Sequence, residues 1–165
     1  MRPAAIPLLL ALAACGGDVN SLAAPAPVFA PERFFAGRTE GRGRAKVIFS
    51  SPRAIRVRSH GAVRGNGTIV VNQIVEEEGR AQRTRQWRLR HEGGGRYTGA
   101  LSDAQSPVAG QVRGNALHLR FRAYGLAVEQ HIFLQPDGRT ALNRMTLRKF
   151  GVPVARLDET IRRIG

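Results

Sequence analysis

The sequence predicts an all-β fold, a small antiparallel barrel of about eight to nine strands, and three observations carry that expectation. Apolar and charged residues alternate along short runs, the runs are separated by Gly, Asn, Asp and Pro in hairpin combinations, and no apolar repeat at helical spacing appears before the last ten residues. Alternation with a period of two is the mark of a strand with one buried and one wet face.

The N-terminal segment is of another kind. Met1-Arg2 is a short positive region and residues 6–13 an apolar run too short to span a bilayer, so residues 1–14 read as a lipoprotein signal peptide rather than a membrane helix. Leu12-Ala13-Ala14-Cys15 closes the segment with small residues and the only cysteine of the chain, which is a bacterial lipobox. Cleavage before Cys15 makes its thiol the lipidation site, and acyl chains contribute about 0.8 kcal/mol per buried methylene to anchoring. No disulfide or thiolate metal site is then available. Gly16 follows where aspartate favours inner-membrane retention in some bacteria, so the outer membrane, facing the periplasm, is preferred to the inner. Residues 15–30 mix Gly, Ala, Pro and Ser without an apolar period and read as a flexible tether. What remains, 31–165, has the size of one domain.

The first strand is expected over 39–49, after Phe34 and Phe35 open the aromatic content. Over 54–59, Ile55 and Val57 oppose Arg56 and Arg58. Asn66-Gly67 supplies a hairpin turn before a strand at 68–75. Glu76-Glu77-Glu78-Gly79 reads as a solvated strand end that can pair with Arg80 or Arg83. In the strand at 83–90, Trp87 and Leu89 oppose Arg88 and Arg90, and Gly93-Gly94-Gly95 turns it into 97–101. Residues 108–112 continue past Gly114-Asn115 into 117–121, where Leu117, Leu119 and Phe121 oppose His118, Arg120 and Arg122. A strand at 128–134 ends at the Pro136-Asp137-Gly138 turn, and 145–150 follows. Leu157, Ile161 and Ile164 fit one face of a short terminal helix, while 154–161 also fits a closing strand. Up-and-down hairpins in this number suggest closure in the manner of lipocalins, with a β-sandwich as competitor.

The formal net charge is +14 and the pI about 11.7, with Lys46 and Lys149 the only lysines. An arginine excess beside abundant Ala and Gly is what a GC-rich genome produces. It also suits lipid phosphates or another anionic partner, which guanidinium binds in a bidentate way. Nucleic acid is the usual inference from such a pI, and an envelope address argues against it. In a transmembrane barrel, arginine on the lipid face costs about 2–4 kcal/mol at mid-membrane, and the few aromatics supply no girdles. Arginines outside and apolar side chains inside, in water, is the expected arrangement.

Pro31-Glu32-Arg33-Phe34-Phe35-Ala36-Gly37, Thr39-Glu40-Gly41, Trp87-Arg88-Leu89, Gly95-Arg96-Tyr97-Thr98-Gly99, Gly114-Asn115-Ala116-Leu117 and Asn143-Arg144-Met145 followed by Lys149-Phe150-Gly151 resemble, in order and spacing, the bacterial lipoproteins of domain-of-unknown-function family 3833. The resemblance runs from Pro31 to the C-terminus. It implies an envelope lipoprotein with a lipocalin-like β-fold and no established activity. Gln130-His131-Ile132-Phe133 stands where members carry a tryptophan-rich strand, a departure from the family pattern.

Enzyme signatures are missing: there is no Gly-x-Ser-x-Gly elbow, phosphate-binding loop or His-Glu-x-x-His pair. The expectation is therefore a protein that is not an enzyme, without cofactor or metal. His91-Glu92-Gly93-Gly94-Gly95 reads as a glycine-rich hairpin. His60, His91, His118 and His131 are scattered, and Glu129 with His131 reads as a polar contact on one strand face. The candidate ligand-binding residues are Trp87, Leu89, Leu117, Leu119 and Phe121, which line or fill the interior, and Asn143, Arg144 and Lys149. Those last three suit an anionic headgroup at a barrel end, unless Arg144 instead closes the base on backbone carbonyls. The leading functional expectation is binding or handling of an apolar, acyl-chain-bearing ligand at the periplasmic membrane surface, with the lipid on Cys15 as the link to the membrane. The alternative is an adaptor with a solid barrel whose basic exterior docks on anionic lipid or a partner protein.

Overall fold

Alternation sends one side of every strand to a common interior, and tight turns keep successive strands adjacent. In the computed structural model, which describes residues 27–165, ten strands close into an antiparallel barrel. They are β1 (Gly37–Val47), β2 (Arg53–Val63), β3 (Ile69–Glu77), β4 (Arg83–Gly93), β5 (Arg96–Leu101), β6 (Val108–Arg113), β7 (Ala116–Ala123), β8 (Leu126–Leu134), β9 (Thr140–Lys149) and β10 (Val152–Ile164). Neighbours in sequence pair throughout, and β10 closes the ring on β1, with Gly41 opposite Ile161.

The strand number differs slightly from expectation, and one open alternative is resolved. The strand number exceeds eight to nine because 108–121 divides at Gly114-Asn115 and the C-terminus adds β10. No C-terminal helix forms. With β1 and β9 each presenting an open row of backbone groups, a strand satisfies both rows at once, whereas a helix would leave two edges exposed. Pro153, which has no N–H to donate, falls where the β10–β9 register shifts, before Ala155.

Inward side chains are apolar almost throughout. Leu117, Leu119, Phe121 and Ala123 of β7 are buried while Arg120 and Arg122 are exposed, and Ile55 and Val57 of β2 alternate with exposed Arg56 and Arg58 in the same way. Each fully buried Leu, Ile or Val contributes roughly 1.5–3 kcal/mol. Glu77 collects Arg53, Arg80 and Arg83 at 3.1–3.4 Å, so the acidic strand end is paired locally.

The turns after β2, β4, β6 and β8 form the lower rim, where the chain enters. There α1 (Pro31–Phe34), with proline in its first turn, forms a plug. Packing begins at Phe29, inside the stretch expected to be tether: Phe29 and Phe34 are both buried, with rings 5.4 Å apart, and Phe35 meets Phe34 edge-on at 5.0 Å. Phe29 N–H donates to the Gly114 carbonyl at 2.9 Å, and the Tyr97 hydroxyl donates to Glu32 at 2.9 Å. Arg163 Nη1 donates to the Arg33 carbonyl at 2.5 Å, so the base is closed on backbone carbonyls by Arg163 and not by Arg144.

Candidate functional site

Between the plug and an upper apolar layer of Ile55, Val57, Val75 and Leu157 lies a belt of polar side chains aimed into the barrel. It surrounds a cavity of about 40 Å³. That is room for about three ordered waters, at 10–15 Å³ each, and not for an acyl chain.

Arg85 and Glu159 are the charged members of the belt. Arg85 occupies the β4 position two residues before Trp87 and so shares its face. Its Nε donates to Gln73 Oε1 at 2.8 Å, and Trp87 Nε1 donates to the same oxygen at 2.8 Å. Gln73 Nε2 in turn donates to the Ser59 hydroxyl at 3.1 Å. The guanidinium carbon lies 5.7 Å from the Trp87 ring centre, within reach of a cation–π interaction. The two terminal nitrogens of Arg85 donate no hydrogen bond among the described residues, and burial holds this guanidinium below the usual arginine range.

Glu159, between Leu157 and Ile161 on β10, is buried with them. Asn143 Nδ2 donates to its Oε2 at 2.8 Å. Burial pushes the carboxyl above the usual range, while Asn143 and the field of Arg85 pull it partly back. No direct ion pair joins the two residues. Gln130 Oε1 and Asn143 Oδ1 are buried acceptors without a hydrogen-bond partner among the described residues. Unused donors on one side and unused acceptors on the other make a site able to hold a small polar group or ordered water.

The expected ligand residues separate. Trp87, Leu89 and Leu119 line the cavity, whereas Leu117 and Phe121 are packed in the core, Phe121 edge-on against Trp87 at 5.5 Å. Asn143 points inward to Glu159. Its neighbour Arg144 points outward to Asp158 at 2.6 Å, and Lys149 lies at the opposite rim from the plug, exposed. The three do not form one headgroup site, because adjacent strand residues face opposite sides. Glu129 meets His118 at 3.7 Å and Arg148 at 3.6 Å rather than pairing with His131. Cys15 lies outside the described residues, among which no group of three or more His, Cys, Asp or Glu side chains is arranged to hold a metal ion.

Sequence reasoning missed Arg85, Gln73 and Glu159. The signal was parity: 85 shares a face with 87 and 89, and 159 with 157 and 161. Among so many arginines, one on the apolar face did not stand out, and Glu159 was legible only once the C-terminus was known to be a strand.

A family model described as a protein of unknown function (DUF3833) matches residues 9–163. No curated protein matches the sequence. Among solved structures, the barrel is similar to the S-type phycobiliprotein lyase CPES from Guillardia theta, with a TM-score of 0.65 and 11% identity over 83% of this chain and 94% of that one. It is also similar to Rv2717c from M. tuberculosis, with a TM-score of 0.60 and 17% identity over 79% and 93% of the two chains. These likenesses bear on fold, and they correct one expectation. The lack of familiar catalytic motifs predicts that the protein is not an enzyme, yet a lyase is built on a barrel of this shape. Motif absence therefore does not exclude catalysis here.

Proposed function

We propose that this chain, which belongs to the DUF3833 family of proteins of unknown function, is an envelope lipoprotein anchored through Cys15. Its barrel takes an amphipathic ligand, an apolar body bearing an anionic group, into the polar belt. The observation that carries this reading is Arg85, a guanidinium in the polar belt beside Trp87, whose Nε is held by Gln73 and whose terminal nitrogens make no hydrogen bond among the described residues. The half-buried guanidinium has no close counter-ion, and an arriving carboxylate or phosphate can accept two parallel hydrogen bonds from it. Glu159, whose carboxyl burial raises above the usual range, lines the same cavity, makes no ion pair with Arg85, and when protonated can donate to the same ligand. Trp87, Leu89 and Leu119 supply the apolar flank. A ligand longer than the cavity enters by displacing the Phe34–Phe35 end of the plug. That a lyase shares this barrel shape supports reading the interior as a working site.

Native mass spectrometry with lipid extraction, on protein purified from its own kind of envelope, tests the interior. A stoichiometric anionic amphiphile is expected on the wild type and absent from Arg85→Leu at unchanged melting temperature; a ligand-free wild type overturns the reading. That outcome would favour an adaptor with a filled barrel, a second reading supported by the small cavity. For the anchor, Cys15→Ser should release the protein from the outer-membrane fraction, and full retention in high salt would count against lipidation.

A further inference from the structure

The rim opposite the plug carries three aromatic side chains at turn tips. Phe49 is 100% exposed in the β1–β2 turn, Phe150 95% in the β9–β10 turn and Tyr124 63% in the β7–β8 turn. Because β1 pairs with β10 and β9 with β8, these three hairpins are consecutive around the ring. The Ile48 N–H donates to the Val154 carbonyl at 2.8 Å and ties the first tip to its neighbour. Ile48 and Val152, both exposed, fill out the same arc.

All three aromatics sit in left-handed backbone, with φ of +60° at Phe49, +54° at Tyr124 and +50° at Phe150. Phe150-Gly151 and Tyr124-Gly125 have positive φ at both positions, the type I′ geometry that Asn-Gly fills most comfortably. The lower rim has Asn66-Gly67 and Pro136-Asp137-Gly138 at its tips. The Tyr124 hydroxyl donates to Asp103 at 2.5 Å, but the exposed rings of Phe49 and Phe150 gain nothing from core packing and strain their turns. Folding therefore does not account for these two phenylalanines, and function is the remaining reason.

The charge behind the tips is positive and uncommitted. Lys46 of β1 stands directly opposite Arg156 of β10, and neither makes an ion pair among the described residues. Two like charges in register repel unless an external anion lies between them. Lys149 adds a third cation, its Nζ 5.8 Å from the Phe150 ring centre. The nearby carboxylates are engaged elsewhere, Asp158 with Arg144 and Glu129 with Arg148.

We infer that this arc of the rim docks on an anionic phospholipid bilayer, with Phe49 and Phe150 inserted among the acyl chains, Tyr124 at the headgroup level, and Lys46, Lys149 and Arg156 on lipid phosphates. Separate convex tips suit a fluid bilayer, which closes around each ring; a protein partner would need a matching pocket for every one. Residues 15–28 extended span on the order of 45 Å, against a barrel about 30 Å tall. Their length allows an anchor at Cys15 and docking of the far rim on one membrane. The docking face stands whether or not the interior takes a ligand.

The closed ten-stranded barrel and the plug described above are made by residues 27–165, so that segment is tested by flotation with vesicles of phosphatidylglycerol and phosphatidylcholine. The wild type should float with the anionic vesicles and not with pure phosphatidylcholine, losing about fivefold in partition for each cation removed among Lys46, Lys149 and Arg156. Phe49→Asn with Phe150→Asn should lose at least tenfold while keeping or raising the melting temperature, since Asn relieves the turns. No flotation of the wild type, or equal flotation of the double variant, overturns the inference. Arg85→Leu should float like the wild type, which separates this face from the interior site.

Discussion

A Cβ built on Gly41 of β1 would stand 1.8 Å from Oε1 of Glu159 on β10, so the side chain that Gly41 lacks is the space the carboxyl occupies. The buried acid at the centre of the polar belt is thus set by two positions on neighbouring strands, one supplying the group and the other the room.

Gly41→Ala should displace the Glu159 carboxyl from Asn143 and destabilise the barrel by about 1–3 kcal/mol. Adding Glu159→Ala in the same chain should recover most of that loss. Urea denaturation of the two single variants and the double forms a cycle, and strict additivity would refute the shared space.

Glu159→Gln should stabilise the protein at neutral pH. A carboxyl whose native pKa is raised above its unfolded value of 4.5 contributes its full stability below that value and loses it as pH rises through the native pKa. At pH 7 the wild type carries that loss, whereas Gln carries none and can still accept from Asn143 Nδ2. Thermal melts should show the variant ahead at pH 7 with the gap closing near pH 4. A gap that does not change with pH would rule out titration as its source.

Gln73→Leu removes the acceptor shared by Arg85 Nε and Trp87 Nε1. Leaving two buried donors unpaired should cost about 2–4 kcal/mol. Because Trp87 is the only tryptophan of the chain, its emission reports the change directly. An unaltered spectrum with unaltered stability would mean that the shared acceptor carries no weight.

His118 and His131 stack at 4.2 Å on the outer wall, bordered by Glu129, Arg120 and Arg144. Burial lowers the pKa of both; for His118 the neighbouring His131 lowers it further, and Glu129 opposes the shift. Lowered histidines contribute stability that is present above the unfolded value of 6.5 and lost as pH falls through the native values. The wild-type melting temperature should therefore drop from pH 7 to pH 5 more than that of His118→Gln with His131→Gln. Parallel curves for the two proteins would count against the pair as the cause.

The all-β class, the inward and outward faces of most strands, and the hairpins were legible from the residues alone. Each of these follows from period-two alternation and from turn residues, which act within a few positions along the chain. Trp87, Leu89 and Leu119 were legible as interior residues for that reason. That the C-terminus is the closing strand could not be read locally, since the choice depends on two open edges about a hundred residues apart. Ring closure likewise placed Glu159 beside Gly41 and on the same cavity as Arg85, and set Phe49, Tyr124 and Phe150 on one arc of the rim. Contacts of that kind arise between strands distant in sequence, where no local pattern records which side chains will meet.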